Sequence, residues 1–376
     1  MKIIIAPDKF KGSLTSFEVC SAIREGILLA DKKTEVSVFP MADGGDGFAG
    51  IMKYYTGTVS EEVVSVDALG RNISSFYESN AEDYSAIIEL ASCSGLAMLQ
   101  THERNPLITS TYGTGLQIRY AIRKGAKKII LGIGGSATND AGIGILSALG
   151  FTFIDNHGNP LMPCGQSLVQ IKKIIPPDTL PAVHIEIACD VNNPLYGPEG
   201  AATIFSPQKG ANPEQVVLLD KGLKQFADVV LQQTGKDVSG FAGAGAAGGI
   251  AAGLMAFLPV NIVEGTHLIL TASKIEKTIG DADMIITGEG KIDRQSLLGK
   301  TVHAIISMAK NRNIPIAAIC GKLELKESEW KQWGVSLAVE INDGSLAEEE
   351  SMQRAYELVL KKAEWMLPLL KEISGQ

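Results

Sequence analysis

The 376-residue chain is long enough for two or three domains with ample core. Its 34 basic and 42 acidic residues leave a net charge of −8, which argues against a nucleic-acid or anionic-membrane surface and for small-molecule partners. No apolar run reaches membrane-spanning length, and the first residues read as a strand with no signal-like apolar region, so a cytoplasmic enzyme is expected.

Residues 2–6, KIIIA, read as a strand that Pro7 interrupts. Thr15 and Glu18 have the spacing of a capping box for a helix running to about Ala30, which places Asp8, Lys9, Lys11, Gly12 and Ser13 between a strand end and a helix start. Open α/β sheets put their chemistry there. A second strand over 35–39 ends in PMADGGDGF, where Asp43 and Asp46 either hold Mg²⁺ through waters or cap the helix beginning near Gly47. Residues 58–67 and 74–79 alternate as strands joined by the turn LGRN, and 86–90 is another strand. A helix is expected over 116–124, closed by Gly125 at C′.

The stretch 127–149, KKIILGIGGSATNDAGIGILSAL, carries the densest signal. An apolar strand stops at Gly132, Gly134 and Gly135, then Ser136, Thr138, Asn139 and Asp140 precede an apolar helical pattern. A glycine loop between a strand and a helix N-terminus makes an anion site. GIGGSA also fits the relaxed dinucleotide pattern, with Asp155 near the distance of a ribose-binding acid, so a nicotinamide-dependent hydroxy-acid dehydrogenase is a second reading. A non-catalytic organic-acid binding protein is a third.

Farther on, a strand over 184–188 ends in Asp190, Asn192 and Asn193, and Asn212, Pro213 and Gln215 match the cap of a long helix. The small-residue stripe 243–254 has no strand before it and suits tight helix packing. From Asp283 strands lead into GEGKIDRQS, CGKLE and NDG, putting Gly288, Glu289, Gly290, Lys291 and Asp293 on a loop, with Ser345 and Glu348 as a capping box for the last helix. GKT at 299–301 lacks the glycine spacing of a Walker A motif. The five cysteines show no C-x-x-C pair, and the five histidines are scattered. Two β/α units at the start and three at the end complete one sheet only together. The expected fold class is therefore α/β with two domains: a discontinuous Rossmann-like parallel-sheet domain (1–60 plus 258–376) and an inserted α/β domain with a mixed sheet (61–257), with the active site in the cleft between them. Glycine loops, carboxylates and lysines at strand ends are the parts of phosphoryl transfer, which predicts a small-molecule kinase.

The strings APDKFKGSLTS, PMADGGDG, ERNPLITSTYGTG, IILGIGGSATNDAG, ACDVNNPLYGPEGA, SPQKGA, GAGAAGG and TGEGKIDRQSLLGKT occur in the order and spacing of the bacterial type I glycerate kinases, and the chain resembles that family from Met1 to about Leu360. The resemblance implies ATP-dependent phosphorylation of D-glycerate with Mg²⁺, on the 2-hydroxyl to give 2-phosphoglycerate. It departs at Lys9, Asp46 and Val302, where the family commonly has serine, glutamate and proline, so the cationic role is placed on Lys11. On this reading Asp190 orients or deprotonates the hydroxyl, Lys11 stabilises the transferring phosphoryl group, and Asp8 completes the catalytic set. Asp43 and Glu289 serve the metal or its waters. Ser13, Arg71, Gly134, Gly135, Ser136, Thr138, Asn139, Asp140, Asn193, Gly288, Gly290 and Asp293 are expected around substrate and phosphate, in a monomer or homodimer.

Overall fold

A computed structural model describes residues 1–294, 296 and 301–375. Among these, the strands are, in chain order, β1 (Lys2–Ile5), β2 (Glu35–Val38), β3 (Val59–Val66), β4 (Asn72–Asn80), β5 (Ser85–Glu89), β6 (Lys128–Gly132), β7 (Thr152–Ile154), β8 (Lys173–Ile175), β9 (His184–Ala188), β10 (Val260–Val263), β11 (Met284–Ile292), β12 (Ile316–Leu323) and β13 (Leu337–Glu340). The chain is α/β throughout and divides into two compact units, Met1–Asp43 with Thr266–Gln376, and Gly44–Gly265.

The first unit holds a parallel sheet of order β13-β12-β11-β1-β2. Ile3, Ile5, Met284, Ile286, Ala317 and Ile319 are buried from the strands, as uninterrupted apolar runs covered on both faces should be. The helix Ser16–Ala30 is set by the expected box: Thr15 Oγ1 accepts from Glu18 N–H, and the Glu18 carboxylate accepts from Thr15 N–H at 2.7 Å. It packs on the helix Ala355–Ser374, burying Val19, Ile23 and Ile27 with Val359, Ala363 and Leu370. Each fully buried aliphatic chain of this kind contributes about 1.5–3 kcal/mol.

The second unit is built on a mixed sheet, β10-β9-β6-β5-β4-β3, in which β10, β9, β6 and β5 run parallel and the β3–β4 hairpin is antiparallel. Ile88, Leu131, Ile185 and Ile187 meet Ile145, Leu146, Leu223 and Phe226 in its core. Asn212 and Gln215 form the predicted capping box of the helix Pro213–Thr234, with Pro213 in its first turn. The small-residue stripe packs against the 138–142 segment: a Cβ on Gly248 would overlap the Thr138 carbonyl, and one on Gly253 would overlap that of Ala141.

Three local readings are corrected. GEGKI is not a loop, because β11 continues through Gly288, Glu289 and Gly290 to Ile292 and pairs with β12, Glu289 opposite Cys320. The last helix does not begin at a Ser345–Glu348 box: Ser345 N–H is drawn to the Asp343 carboxylate, Ala347 is the N-cap, and the helical segments are Glu348–Gln353 and Ala355–Ser374. The helix expected over 116–124 starts earlier, at Tyr112. The helix after the 132–140 loop is only Ile143–Ala148, because Ala141 and Gly142 both take left-handed φ and hold helical geometry back. Of the GKT triplet, Gly299 and Lys300 lie outside the described residues. No helix among the described residues is long and apolar enough to cross a membrane.

Candidate active site

Within the first unit, strands taken in chain order stand 5-4-3-1-2 across the sheet, so the order reverses between β1 and β11. Ligands of doubly wound sheets bind beyond the carboxyl ends of the strands at such a reversal. Asp8 lies there, its N–H bonded to the Gly288 carbonyl and its carboxylate accepting from Lys9 N–H at 2.7 Å and Thr301 Oγ1 at 3.0 Å. Glu289 follows directly on β11. Lys9 Nζ is 3.4 Å from the Asp43 carboxylate. Gly290 is a close-approach residue, since a Cβ there would press on Phe10 and Lys11 N. Lys11 is exposed on the tight turn between Phe10 and Leu14, and Ser13 Oγ bonds the Phe10 carbonyl within the same turn.

Asp8 is only 7% exposed; burial first, and then the neighbouring Asp43 carboxylate, push its carboxyl up to about 6 against the pull of Lys9. A buried carboxyl raised further by a neighbouring carboxylate is a fit for a divalent cation. Among the described residues no group of three or more His, Cys, Asp or Glu could hold a metal ion. Mg²⁺ needs no such group, since it takes one or two carboxylates and completes its shell with water and phosphate oxygens, and the neighbouring Asp8 and Asp43 supply hard oxygen donors of that kind. A carboxyl raised in the folded state binds extra protons there between about pH 4 and 6, so it lowers stability as pH rises through that window, and the penalty is complete above it. Asp8→Asn is therefore expected to raise stability in chelator at pH 7.5 by about 1–3 kcal/mol, with no gain at pH 3.5. Thermal unfolding at the two pH values checks it, and an equal effect at both would mean that the carboxyl is not raised.

In the second unit the carboxyl ends of the parallel strands again carry acidic and polar residues. The 132–140 loop follows β6, Asp190 follows β9, and Glu89 ends β5. The two glycine loops that stand ninety residues apart in sequence meet here. A Cβ on Gly134 would overlap Gly45 Cα, and one on Gly135, at φ +67, would overlap the Asp46 carboxylate. Glu89 accepts from Gly47 N–H at 2.9 Å and Ala49 N–H at 3.3 Å, capping the helix Phe48–Thr56. Asp190 Oδ1 accepts from Gly265 N–H at 3.0 Å. Asp46 Oδ1, Thr138 Oγ1 and Asn139 Nδ2 are buried with no hydrogen-bond partner among the described residues.

Other expected site residues are engaged in structural roles. Asp140 is fully buried and accepts from Thr111 N–H, Thr111 Oγ1, Gly142 N–H and Gly144 N–H, so it ties the loop down from within. Arg71 sits on the β3–β4 turn bound to Asp67 and, at 2.6 Å, to Glu103, because those carboxylates reach it first. Asn193 donates to the Glu199 carbonyl at 2.9 Å. Gly288 leaves room for the Ile319 carbonyl of β12 and is a sheet residue. Asp293 bonds Ser296 and lies 3.4 Å from Lys291, itself paired with Glu324. Asp155 accepts from His157 and Asn159 N–H in an exposed turn, and β7 pairs with β8 in a separate two-stranded sheet, so Asp155 does not stand at the main sheet as the ribose acid of a dinucleotide site would. A cavity of about 290 Å³ beyond β13 includes Asn342, Arg354, Lys361 and Trp365, with Arg354 and Lys361 already bound to Glu357.

Sequence reasoning missed Lys209, Thr111, Glu89 and Thr301. Lys209 Nζ reaches Ser136 Oγ at 2.8 Å and the Thr138 carbonyl at 2.6 Å. Its only sequence trace is a lysine in SPQKGA, where nothing local foretells burial.

A sheet reversal lined by carboxylates and lysines, and a separate glycine loop fixed from below, define a phosphotransferase acting on a small molecule. The chain matches the glycerate kinase family over residues 3–371. It is 44% identical over 327 residues to the glycerate kinase of Haemophilus influenzae, covering 86% of each chain. It is 37% identical over 364 residues to the glycerate 2-kinase of Escherichia coli K12, covering 96% of each. The crystal structure described as glycerate kinase 2 from Salmonella typhimurium LT2 superposes with a TM-score of 0.83 at 37% identity, over 100% of both chains. The chain thus belongs to the glycerate kinase family and is a kinase.

Proposed function

We propose that this protein transfers the γ-phosphoryl group of ATP to the 2-hydroxyl of D-glycerate, giving 2-phosphoglycerate and ADP. The observation that carries the chemistry is the placing of Asp8, Lys9, Asp43, Glu289 and Thr301 at the reversal of the parallel sheet, where acids and cations outnumber what capping needs. The regiochemistry is supported by the name of the Escherichia coli relative.

In this mechanism the Asp190 carboxylate, oriented by Gly265 N–H, accepts the hydroxyl proton as the glycerate oxygen forms its bond to phosphorus and the bond to ADP breaks. Lys11 neutralises charge on the phosphoryl oxygens in flight. Asp43 and Glu289, with Asp8 beside Asp43, are the residues that would hold Mg²⁺ or its waters. The ion, when bound, neutralises phosphate charge. The 132–140 loop holds phosphate or the substrate carboxylate through backbone N–H groups and Ser136.

Incubation with Mg-ATP and D-glycerate, followed by ³¹P NMR of the product, tests the reading. The expected product is 2-phosphoglycerate. A 3-phosphoglycerate signal keeps the kinase and reverses the regiochemistry, and absence of turnover with D-glycerate overturns the substrate.

A further inference from the structure

Lys209 has no local reason to be buried. It ends the single turn Pro207–Lys209, and Gly210 follows with left-handed φ. Nevertheless it is only 2% exposed, with its ammonium against Ser136 Oγ and the Thr138 carbonyl. Among the described residues it forms no ion pair with any carboxylate. Asp140 attracts it through space, but that carboxylate is occupied by Thr111, Gly142 and Gly144. Desolvation pushes the ammonium down to about 7. A methionine of similar length would fill the slot without a buried charge, and such replacements are often neutral or stabilising. The charge therefore calls for a use other than packing.

Its geometry supplies one. In its protonated form Lys209 has only protons to give, so Ser136 Oγ then receives from it and points its own O–H elsewhere. Ser136 is 8% exposed on a loop whose neighbours Gly134 and Gly135 are held against the 44–46 segment. A serine hydroxyl that already accepts a charged hydrogen bond is a stronger donor toward an anion.

We propose that Lys209 is a positioning residue that fixes the Ser136 hydroxyl as a donor to the anionic group seated on the 132–140 loop, a carboxylate or a phosphate. The inference rests on the kinase reading and adds to it how the loop recognises charge. The partner of the hydroxyl is the glycerate carboxylate or a phosphate of ATP, and kinetics separate the two.

Lys209→Met, Ser136→Ala and the double variant should be compared with the wild type for KM of D-glycerate, KM of ATP, kcat and Tm. Lys209→Met is expected to leave Tm unchanged or higher and kcat within about threefold, while raising one KM by about tenfold or more, the fold-change of one charge-assisted hydrogen bond. Ser136→Ala should raise the same KM, and the double variant should add little, since both act through one hydroxyl. A rise confined to D-glycerate assigns the carboxylate, and one confined to ATP assigns the phosphate. Unchanged values in Lys209→Met, or additive effects in the double variant, overturn the proposal. Should Lys209→Met not fold, Ser136→Ala alone decides, because an unaltered KM for both substrates there is equally fatal. If the wild type does not phosphorylate D-glycerate, the kinase reading fails separately. Calorimetric Kd values for D-glycerate and ATP then replace KM: weakening in both variants supports the proposal, and equality with the wild type or no binding by it overturns it.

Discussion

Asp190→Asn is expected to lower kcat for D-glycerate phosphorylation by about 10²–10⁴, the range of a positioned general base, while leaving the protein folded. Asp190 stands immediately beyond β9, and its Oδ1 accepts from Gly265 N–H. Asparagine keeps that acceptor and the side-chain volume, so the loop geometry survives. What it removes is the capacity to take a proton and the negative charge that, in the proposed mechanism, aligns the hydroxyl for attack. The KM for glycerate should change much less than kcat, because a group that acts on the proton in flight contributes more to the transition state than to the bound substrate. Steady-state kinetics with a matched Tm measurement check it. A kcat within threefold of wild type would remove Asp190 from the proton path and leave it as a loop anchor.

Asp140→Ala is expected to lower the free energy of unfolding by about 3–5 kcal/mol. The carboxylate is fully buried, and burial pushes its pKa up, opposed by donors from Thr111, Gly142 and Gly144. Alanine leaves those buried N–H groups without an acceptor and takes away the charge that attracts Lys209. Thr111 Oγ1 also receives Ile145 N–H, so the short helix Ile143–Ala148 loses an anchor as well. Asp140→Asn, which keeps one acceptor, should lie between alanine and wild type. Urea unfolding of the three proteins tests the ranking, and a loss under about 1 kcal/mol for alanine would show that the network is easily replaced by water.

The contrast between these two aspartates shows how far sequence reaches. Both follow a strand and lie near asparagine, and the sequence placed both in the site, Asp140 with the loop for phosphate or substrate and Asp190 as the residue that orients or deprotonates the hydroxyl. Asp190 keeps a position at the strand end, bonded through one oxygen to Gly265, whereas Asp140 is turned inward by consecutive left-handed residues at 141 and 142. Whether a short acidic side chain faces a ligand or the backbone depends on φ at its neighbours and on donors from Thr111, twenty-nine residues earlier. Periodicity does not encode that.

Strand and helix positions were legible where the signal is local. The Thr15–Glu18 and Asn212–Gln215 boxes formed as read, because a cap is settled within four residues. The Ser345–Glu348 box failed because Asp343 offered Ser345 N–H a nearer acceptor. The GEGKI segment was misread as a loop because glycine normally weakens a strand; β12 runs alongside it as far as Leu323, and the missing Cβ atoms admit the neighbouring backbone.

By itself the sequence determined the α/β class, the mixed sheet of the middle segment, the glycine loops and, through long ordered strings of unusual residues, the family. Those properties follow from residue type and spacing along the chain. Only the tertiary structure decided that the 44–46 and 132–136 glycine loops touch, that Asp8 is buried against Gly288 at the reversal of its sheet, and that Lys209 bonds Ser136. Each of these joins residues from about 70 to 280 positions apart, and burial of a charge is a property of what folds over it.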